Sequence, residues 1–312
     1  MEIVEITAEI LLMSAIGFLV RKLVVKDDEF CKNLSKVLIN VVVPAVIINS
    51  MSSIEFSPAE FRTCGVVLLL SFALFLFLML LGYVVYAALG KGALARVVRF
   101  GMVFTNYSSF GYPIVEAVCD ARAMMYFVLL TIPMRIFYYA LAETTLSPEA
   151  PKGTAGVKKF AKCCLSAPVI ACAAGFLLFS FRLSLPPVIS VVVLKLSNCC
   201  MPLGMMVTGM IIASYDAKSL VSFKSCVMPL MRNIVTPLVV FAVLLVLPLD
   251  DIMKRILLLY CIMPNGLFTA PFCLQYDPDK NAHLISAGGT LISTALAILT
   301  VPVWILLITT NF

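Results

Sequence analysis

The sequence contains little of what most enzyme and metal sites are built from. Only 13% of its 312 residues are charged, and its single histidine, His283, lies in a predicted loop. The eleven cysteines form no C-x-x-C motif and have no histidine partners at zinc-ligand spacing. We therefore expect no metal ion, no cofactor and no catalytic residue.

In place of charge the sequence has hydrophobic residues, which make up 62% of it. A helix needs about 20 mostly apolar residues to cross a lipid bilayer. Ten stretches approach or exceed this length, and they are continuously apolar rather than alternating, which favours helices. We predict an all-α membrane protein with ten transmembrane helices, at residues 4–25, 34–52, 63–89, 100–118, 122–143, 161–181, 186–213, 220–247, 252–276 and 284–309.

Lysine and arginine are distributed unevenly between the loops on the two sides of this arrangement. Fifteen fall on one side and five on the other. Because basic residues stay on the cytoplasmic side, we predict a multi-pass protein of the plasma membrane with both termini extracytoplasmic. The net charge of +6 is thus a topology signal. Its implied partner is the lipid bilayer, and we expect no nucleic-acid partner.

Prolines recur inside the apolar stretches with an offset of 158 residues. Pro44 pairs in this way with Pro202, and Pro113 pairs with Pro271. Pro44 closes an Asn-x-x-x-Pro motif that begins at Asn40, and Pro202 closes the same motif. A proline inside a helix removes a hydrogen bond and breaks or kinks the helix. Paired breaks in corresponding positions of two halves indicate the binding site of a transporter.

The position of the only linker-like segment divides the ten helices into five and five. This segment, at 144–160, is rich in proline and glycine, and we predict that it lies in the cytoplasm. It separates a first five-helix repeat at 1–143 from a second at 161–312. An odd number of helices per repeat places the halves in opposite orientations. The predicted architecture is therefore an inverted repeat forming one integrated membrane domain.

The fourth span carries the strongest local motif, with polar residues, a glycine and a proline at mid-membrane depth. Irregular backbone at this depth needs protein or a water-filled cavity around it. We expect Pro113 in the first turn of a new half-helix, where its missing N–H is harmless. The N–H groups and dipole of that N-terminus attract anions. The candidate substrate-binding residues here are Asn106, Tyr107, Ser108, Ser109 and Pro113.

The ninth span contains a similar polar motif with a glycine and prolines, and it adds the candidate residues Asn265, Gly266, Thr269 and Pro271. Neither of the two crossing segments contains a carboxylate, which a cation carrier would need to offset the desolvation of its ion. Asparagine offers both donors and acceptors. The two crossing segments therefore suit a carboxylate or another anion better than a bare cation.

A few charged residues inside or beside the spans are further candidates, because charge within a membrane is expensive. We expect Arg135 and Lys195 to reach an interface with their long side chains. Arg232 lies deeper, and together with Asn40 it completes the set of candidate substrate-binding residues. Glu116 and Asp120, which follow Pro113, are either proton-titrating groups or solvated ones.

With these motifs the sequence resembles the auxin efflux carrier family of secondary transporters. That family includes the PIN-FORMED auxin carriers and bacterial permeases for malate and malonate. The resemblance runs over nearly the whole chain and is most specific in the fourth span, where the Asn-x6-Pro motif runs from Asn106 to Pro113. Further matches are Asn40 to Pro44, Arg232 to Pro237, and Thr269 to Ser286.

The resemblance implies an NhaA-like fold in which helices 4 and 9 are broken and cross each other. Its scaffold would consist of spans 1, 2, 6 and 7, and its transport domain, spans 3–5 and 8–10, would move like an elevator. By carry-over, Asn106 contacts a substrate carboxylate, and Pro113 and Pro271 mark the crossing. The large cytoplasmic loop of the long auxin carriers is missing from this sequence.

We therefore predict a secondary active transporter, not an enzyme, that moves small organic anions across the plasma membrane by alternating access. Coupling to protons and assembly as a homodimer are left open. The main alternative is a sodium- or proton-coupled carrier of another solute on the same fold, as in relatives of the bile-acid symporters. A channel and an intramembrane enzyme rank lower. The enzyme would need a nucleophile–base or metal constellation inside the spans, and the sequence lacks one.

Overall fold

The structure, a computed structural model, describes residues 3–25, 27–52, 57–148, 167–214, 222–266 and 268–312. Within these ranges the regular secondary structure is entirely helical. The helices from residue 3 to residue 148 are α1 Ile3–Leu19, α2 Asp28–Val37, α3 Val43–Ser52, α4 Pro58–Ala88, α5 Ala93–Val103, α6 Tyr112–Val118, α7 Ala121–Ala140 and α8 Ala142–Leu146. The predicted linker at 144–160 lies mostly outside the described residues.

The described residues from 167 to 312 also form short and long helices in succession. These are α9 Ala167–Ser180, α10 Pro187–Ser197, α11 Cys200–Ser214, α12 Phe223–Leu230, α13 Thr236–Val246, α14 Asp251–Ile262, α15 Thr269–Tyr276 and α16 Lys280–Asn311. The chain leaves regular helix at the predicted breaks: between α5 and α6, between α10 and α11, and between α14 and α15.

Three of the intramembrane prolines follow a wide, π-helical turn rather than a broken helix. The π turns Leu38–Val42, Tyr107–Gly111 and Met231–Val235 each end two residues before a proline, at Pro44, Pro113 and Pro237. A π turn inserts an extra residue into the helical ladder, so the proline ring and its missing N–H are accommodated without ending the helix.

Five helical segments of the described residues are long and apolar enough to cross a membrane: Pro58–Ala88, Ala121–Tyr138, Pro187–Met210, Phe223–Val246 and Lys280–Asn311. On α4 the side chains of Leu69, Leu76 and Leu80 share one face and are 70%, 65% and 62% exposed. An exposed leucine stripe of this kind suits lipid contact. A multi-pass membrane protein is therefore confirmed, and the arrangement of ten helices as a 5+5 inverted repeat stays a prediction.

The chain divides into two compact units, and each takes residues from both predicted repeats. Unit 1 comprises Met1–Ser71, Ser108–Pro133 and Ala161–Ser214. Unit 2 comprises Phe72–Tyr107, Met134–Phe160 and Tyr215–Phe312. Helices α1 to α3 and α9 to α11, which occupy predicted spans 1, 2, 6 and 7, all belong to unit 1.

Unit 1 is organised around close packing of α1 against α11. A Cβ atom at Gly17 would lie 2.1 Å from the carbonyl oxygen of Met206, and one at Gly209 would lie 1.9 Å from that of Ser14. Only glycine fits at these two positions, because it lets two helix backbones approach each other closely. In unit 2, α16 has the corresponding central place and packs against α5, α12 and α15.

Candidate functional site

Two interrupted helices of unit 2 meet in a short antiparallel contact of extended backbone. Thr105, after α5, forms an isolated bridge with Asn265, after α14. The backbone N–H of Asn106 donates to the carbonyl of Pro264 at 2.8 Å, and the N–H of Gly266 donates to the carbonyl of Phe104 at 3.1 Å. Each break therefore satisfies backbone groups of the other, as irregular backbone at membrane depth requires.

The predicted residues Asn106 and Tyr107 lie at this contact, and both are buried. After the contact a π turn spans Tyr107–Gly111, and α6 follows at Tyr112. Pro113 stands in the first turn of α6, as expected. In the other broken helix the expectation fits the geometry, because α15 begins at Thr269 and Pro271 stands in its first turn.

The side chain of Asn265 is held entirely by neighbours in unit 2. Its Nδ2 donates to Thr290 Oγ1 at 2.8 Å, and its Oδ1 accepts from Thr269 Oγ1 at 3.2 Å. Its backbone N–H donates to Ser293 Oγ at 2.9 Å. Ser293 in turn donates to Oδ1 of Asn233 at 2.7 Å. All these residues are buried, so the contacts of Asn265 fix the shape of the break.

Arg232 is completely buried, and its guanidinium is directed at backbone carbonyls. Its Nη1 donates to Met102 O at 2.7 Å, at the end of α5. Its Nη2 donates to Tyr260 O at 2.9 Å and its Nε to Met263 O at 3.0 Å, at the end of α14. One cation thus joins the C-terminal ends of both interrupted helices.

The need for this cation follows from the breaks themselves. Tyr260 would normally bond to the N–H four residues later, but that position is Pro264, which has no N–H. Met102 would bond to Asn106, whose N–H donates across the contact instead. Each helix C-terminus also carries about half a negative charge, so two of them match the single positive charge of Arg232.

Tyr138, a residue that the sequence patterns did not single out, supports the second break. Its hydroxyl accepts a hydrogen bond from the N–H of Phe268 at 3.0 Å. A Cβ at Gly266 would lie 2.4 Å from that hydroxyl, so glycine is needed for its approach. The Tyr138 ring packs against Phe100 and Phe104, with centroid distances of 5.4 and 5.1 Å.

A second arginine, Arg135, is also buried beside the contact, whereas we expected its charge to reach an interface. Its guanidinium lies 5.3 Å from the ring centroid of Tyr107, a cation–π geometry. Tyr107 stacks on Tyr260 at 6.3 Å, and Arg232 lies 5.9 Å from the Tyr260 ring. Two positive side chains therefore flank a pair of tyrosines.

The far end of α15 is anchored by an ion pair that joins it to α5. Arg96 Nε and Nη2 donate to the two carboxylate oxygens of Asp277 at 2.9 and 3.0 Å. The Asp277 side chain is fully buried. Because bidentate arginine–carboxylate pairs are directional, this pair sets the orientation of α15 relative to α5.

Other predicted candidates lie outside the contact in unit 2. Ser108 and Pro113 belong to unit 1, and the side chain of Ser109 lies outside the described part of the structure. Asn40, also in unit 1, is exposed, and its Nδ2 donates to the carbonyl of Lys36 at 2.8 Å. Pro271 is on α15 but exposed. The structure therefore groups Asn106, Tyr107, Asn265, Gly266, Thr269 and Arg232 in unit 2.

The polar residues of α16 that hold Asn265 were also missed, although the sequence contains a signal for them. Ser286, Thr290, Ser293 and Thr294 recur at helical spacing within an otherwise apolar segment and are buried. Residues at intervals of three and four share a helix face. A polar face on an apolar transmembrane helix indicates a polar partner, and here Thr290 and Ser293 bond to Asn265.

Residues 2–155 match a family model described as membrane transport protein, which represents the auxin efflux carrier family. The first half of the chain therefore matches the auxin efflux carrier family. The match includes Asn106 and the first break, and it confirms the resemblance seen in the sequence. A search of curated proteins finds no match. The matched family is one of transporters rather than enzymes, and it indicates that the protein is a membrane transporter.

Proposed function

We propose that this transporter moves small organic anions, of the carboxylate class, across the plasma membrane by alternating access. In this proposal the substrate binds at the contact between the two interrupted helices, where Asn106 donates a hydrogen bond to its carboxylate. Asn265, Gly266 and Thr269 shape the site, and Arg232 positions the helix ends.

The observation that carries the proposal is a difference in charge compensation between the two kinds of helix end. A cation offsets the C-terminal ends before the breaks, whereas the N-terminal ends after the breaks have no acidic residue to offset them. The negative C-termini of α5 and α14 are offset by Arg232. The positive N-termini that follow the breaks, at Tyr107 and Thr269, have no acidic residue in their first turns. A helix N-terminus without an acidic neighbour favours an anion. Inside a membrane such a charge is effective because little water screens it.

Buried positive charge supports the same substrate class. Arg135 is only 7% exposed and Arg232 is fully buried. In the described residues, the hydrogen bonds of Arg232 go to neutral carbonyls rather than to a carboxylate. A bound carboxylate beside the guanidinium of Arg232 would have part of its desolvation offset.

Binding to the purified protein in lipid nanodiscs tests the proposal. At equal concentration, monocarboxylates and dicarboxylates that bind more tightly should raise the unfolding temperature more. Their uptake into proteoliposomes should saturate, and they should compete with one another. The measurements are repeated without sodium and at two pH values. Selective binding of an inorganic cation or an amine, with carboxylates inert, would contradict the proposed substrate class.

The substrate affinity of the Asn106→Ala variant tests whether the site lies at the contact between the two interrupted helices. Stranding a charged substrate group should weaken binding by about 1–3 kcal/mol, which is roughly a five- to hundred-and-fifty-fold loss of affinity. Asn40→Ala is the matched control, because Asn40 is exposed and bonds only within its own helix in the described structure. Equal affinity in the wild type and in a well-folded Asn106→Ala variant would exclude the proposed contact.

A further inference from the structure

A second polar cluster lies in unit 1, where no substrate contact has been placed. Glu116, on α6, faces the junction between α10 and α11, and its carboxyl is only partly exposed. Ser197, the last residue of α10, donates its hydroxyl to Glu116 Oε1 at 2.5 Å. The thiol of Cys200, the first residue of α11, also bonds to this carboxyl. Ser197 is 1% exposed and Cys200 fully buried.

The junction that receives the carboxyl is one of the helix breaks. Asn198 and Cys199 separate α10 from α11, and α11 packs against α6. Ser197 and Cys200, three residues apart, lie on either side of the break, and both side chains bond to Glu116.

The charged and titratable groups near this cluster do not neutralise the carboxyl. Lys195 on α10 is exposed, and in the described residues it forms no ion pair with Glu116. The facing titratable groups are the thiols of Cys200 and, behind it, Cys199. Asp120, which follows α6, is exposed and accepts a hydrogen bond from the N–H of Ala123 at 2.8 Å.

A partly buried carboxylate without a cation is unstable within a membrane protein and favours its neutral form. The surrounding groups suit both forms, because hydroxyl and thiol groups can donate to a carboxylate or accept from a carboxylic acid. We propose that Glu116, Ser197 and Cys200 form a proton-binding site, in which Glu116 takes up and releases one proton. Glu116 stands one turn after Pro113, so the site is on the half-helix that follows the first break.

Infrared difference spectroscopy of the protein in lipid tests the site without transport. Acidification should produce a C=O band of a protonated carboxyl in the wild type, and Glu116→Gln should lose that band. Asp120→Asn is the matched control, because it removes a neighbouring exposed carboxyl and should keep the band. Persistence of the full band in Glu116→Gln would overturn the proposal.

Ser197→Ala provides a second, milder variant in case Glu116→Gln fails to fold. It leaves the carboxyl in place and removes its hydroxyl donor, so the pH midpoint of the band should shift from that of the wild type. An unchanged midpoint would also overturn the site. A role of the Glu116 site in coupling protons to transport rests on the proposed function. In that case carboxylate binding should depend on pH in the wild type and not in Glu116→Gln. If no carboxylate binds to any variant, the proposed function fails, while the infrared band still decides the proton site.

Discussion

Replacing Arg232 should destabilise the protein by opening both helix breaks at once. In Arg232→Met the carbonyls of Met102, Tyr260 and Met263 lose their donor. Hydrogen bonds inside membrane proteins average about 0.6 kcal/mol, so three of them give a lower limit of about 2 kcal/mol. A buried carbonyl left unsatisfied costs about 1–3 kcal/mol.

The three effects are not independent, because the bonds share one guanidinium. We therefore expect a loss of roughly 2–5 kcal/mol in the free energy of unfolding. Arg232→Lys should fall between Arg232→Met and the wild type. Lysine keeps the positive charge near the two C-termini but cannot reproduce the planar fork that reaches three carbonyls.

Denaturation with SDS in mixed micelles measures these free energies. Lys195→Met is the control, because it removes an exposed cation from a transmembrane helix and should leave stability near that of the wild type. Wild-type stability in Arg232→Met would refute the assignment of Arg232 to the helix ends. Wild-type stability in Arg232→Lys together with a large loss of substrate affinity would instead identify Arg232 as a substrate ligand.

Three further changes test other parts of the structure. Gly266→Ala should lower stability, since the new Cβ would lie 2.4 Å from the Tyr138 hydroxyl; the loss should shrink in a Tyr138→Phe background, and equal losses in both would contradict the contact. Asp277→Asn should cost about 3–5 kcal/mol of unfolding free energy, because it leaves Arg96 without its buried carboxylate, and an unchanged value would exclude the ion pair. A cysteine placed at Thr154 in a cysteine-free background should resist impermeant thiol reagents in intact cells, and strong labelling there would reverse the predicted topology.

The helical membrane class and the places where the helices are interrupted could be read from the sequence. Apolar stretches of sufficient length and prolines within them are local properties, so they need no knowledge of the packing. The detailed form of the breaks was less accessible. Pro113 stands in the first turn of α6, but the π turn at Tyr107–Gly111 that precedes α6 was not predicted. Whether a proline kinks, widens or ends a helix depends on which neighbours satisfy the freed backbone groups.

The residues of the candidate site could be predicted only where a local motif marks them. Asn106 was found because it belongs to a motif with Pro113. The partners of Asn265 were not found, because Thr290 and Ser293 lie on a helix that reaches it only through packing. Tyr138 was missed because a tyrosine in an apolar helix is not distinctive until its hydroxyl is seen beside the N–H of Phe268.

The sequence by itself determined that the protein lies in a membrane, which family it resembles, and where its helices are interrupted. Hydrophobicity and proline chemistry act within a few residues, so these properties can be read locally. Only the tertiary structure decided which groups bond to the backbone and side chains at those interruptions. Arg232 bonds to Met102, 130 residues away, and Ser197 bonds to Glu116, 81 residues away. A buried charge or a broken helix is stable only when a distant group supplies the missing partner, and packing determines which group that is.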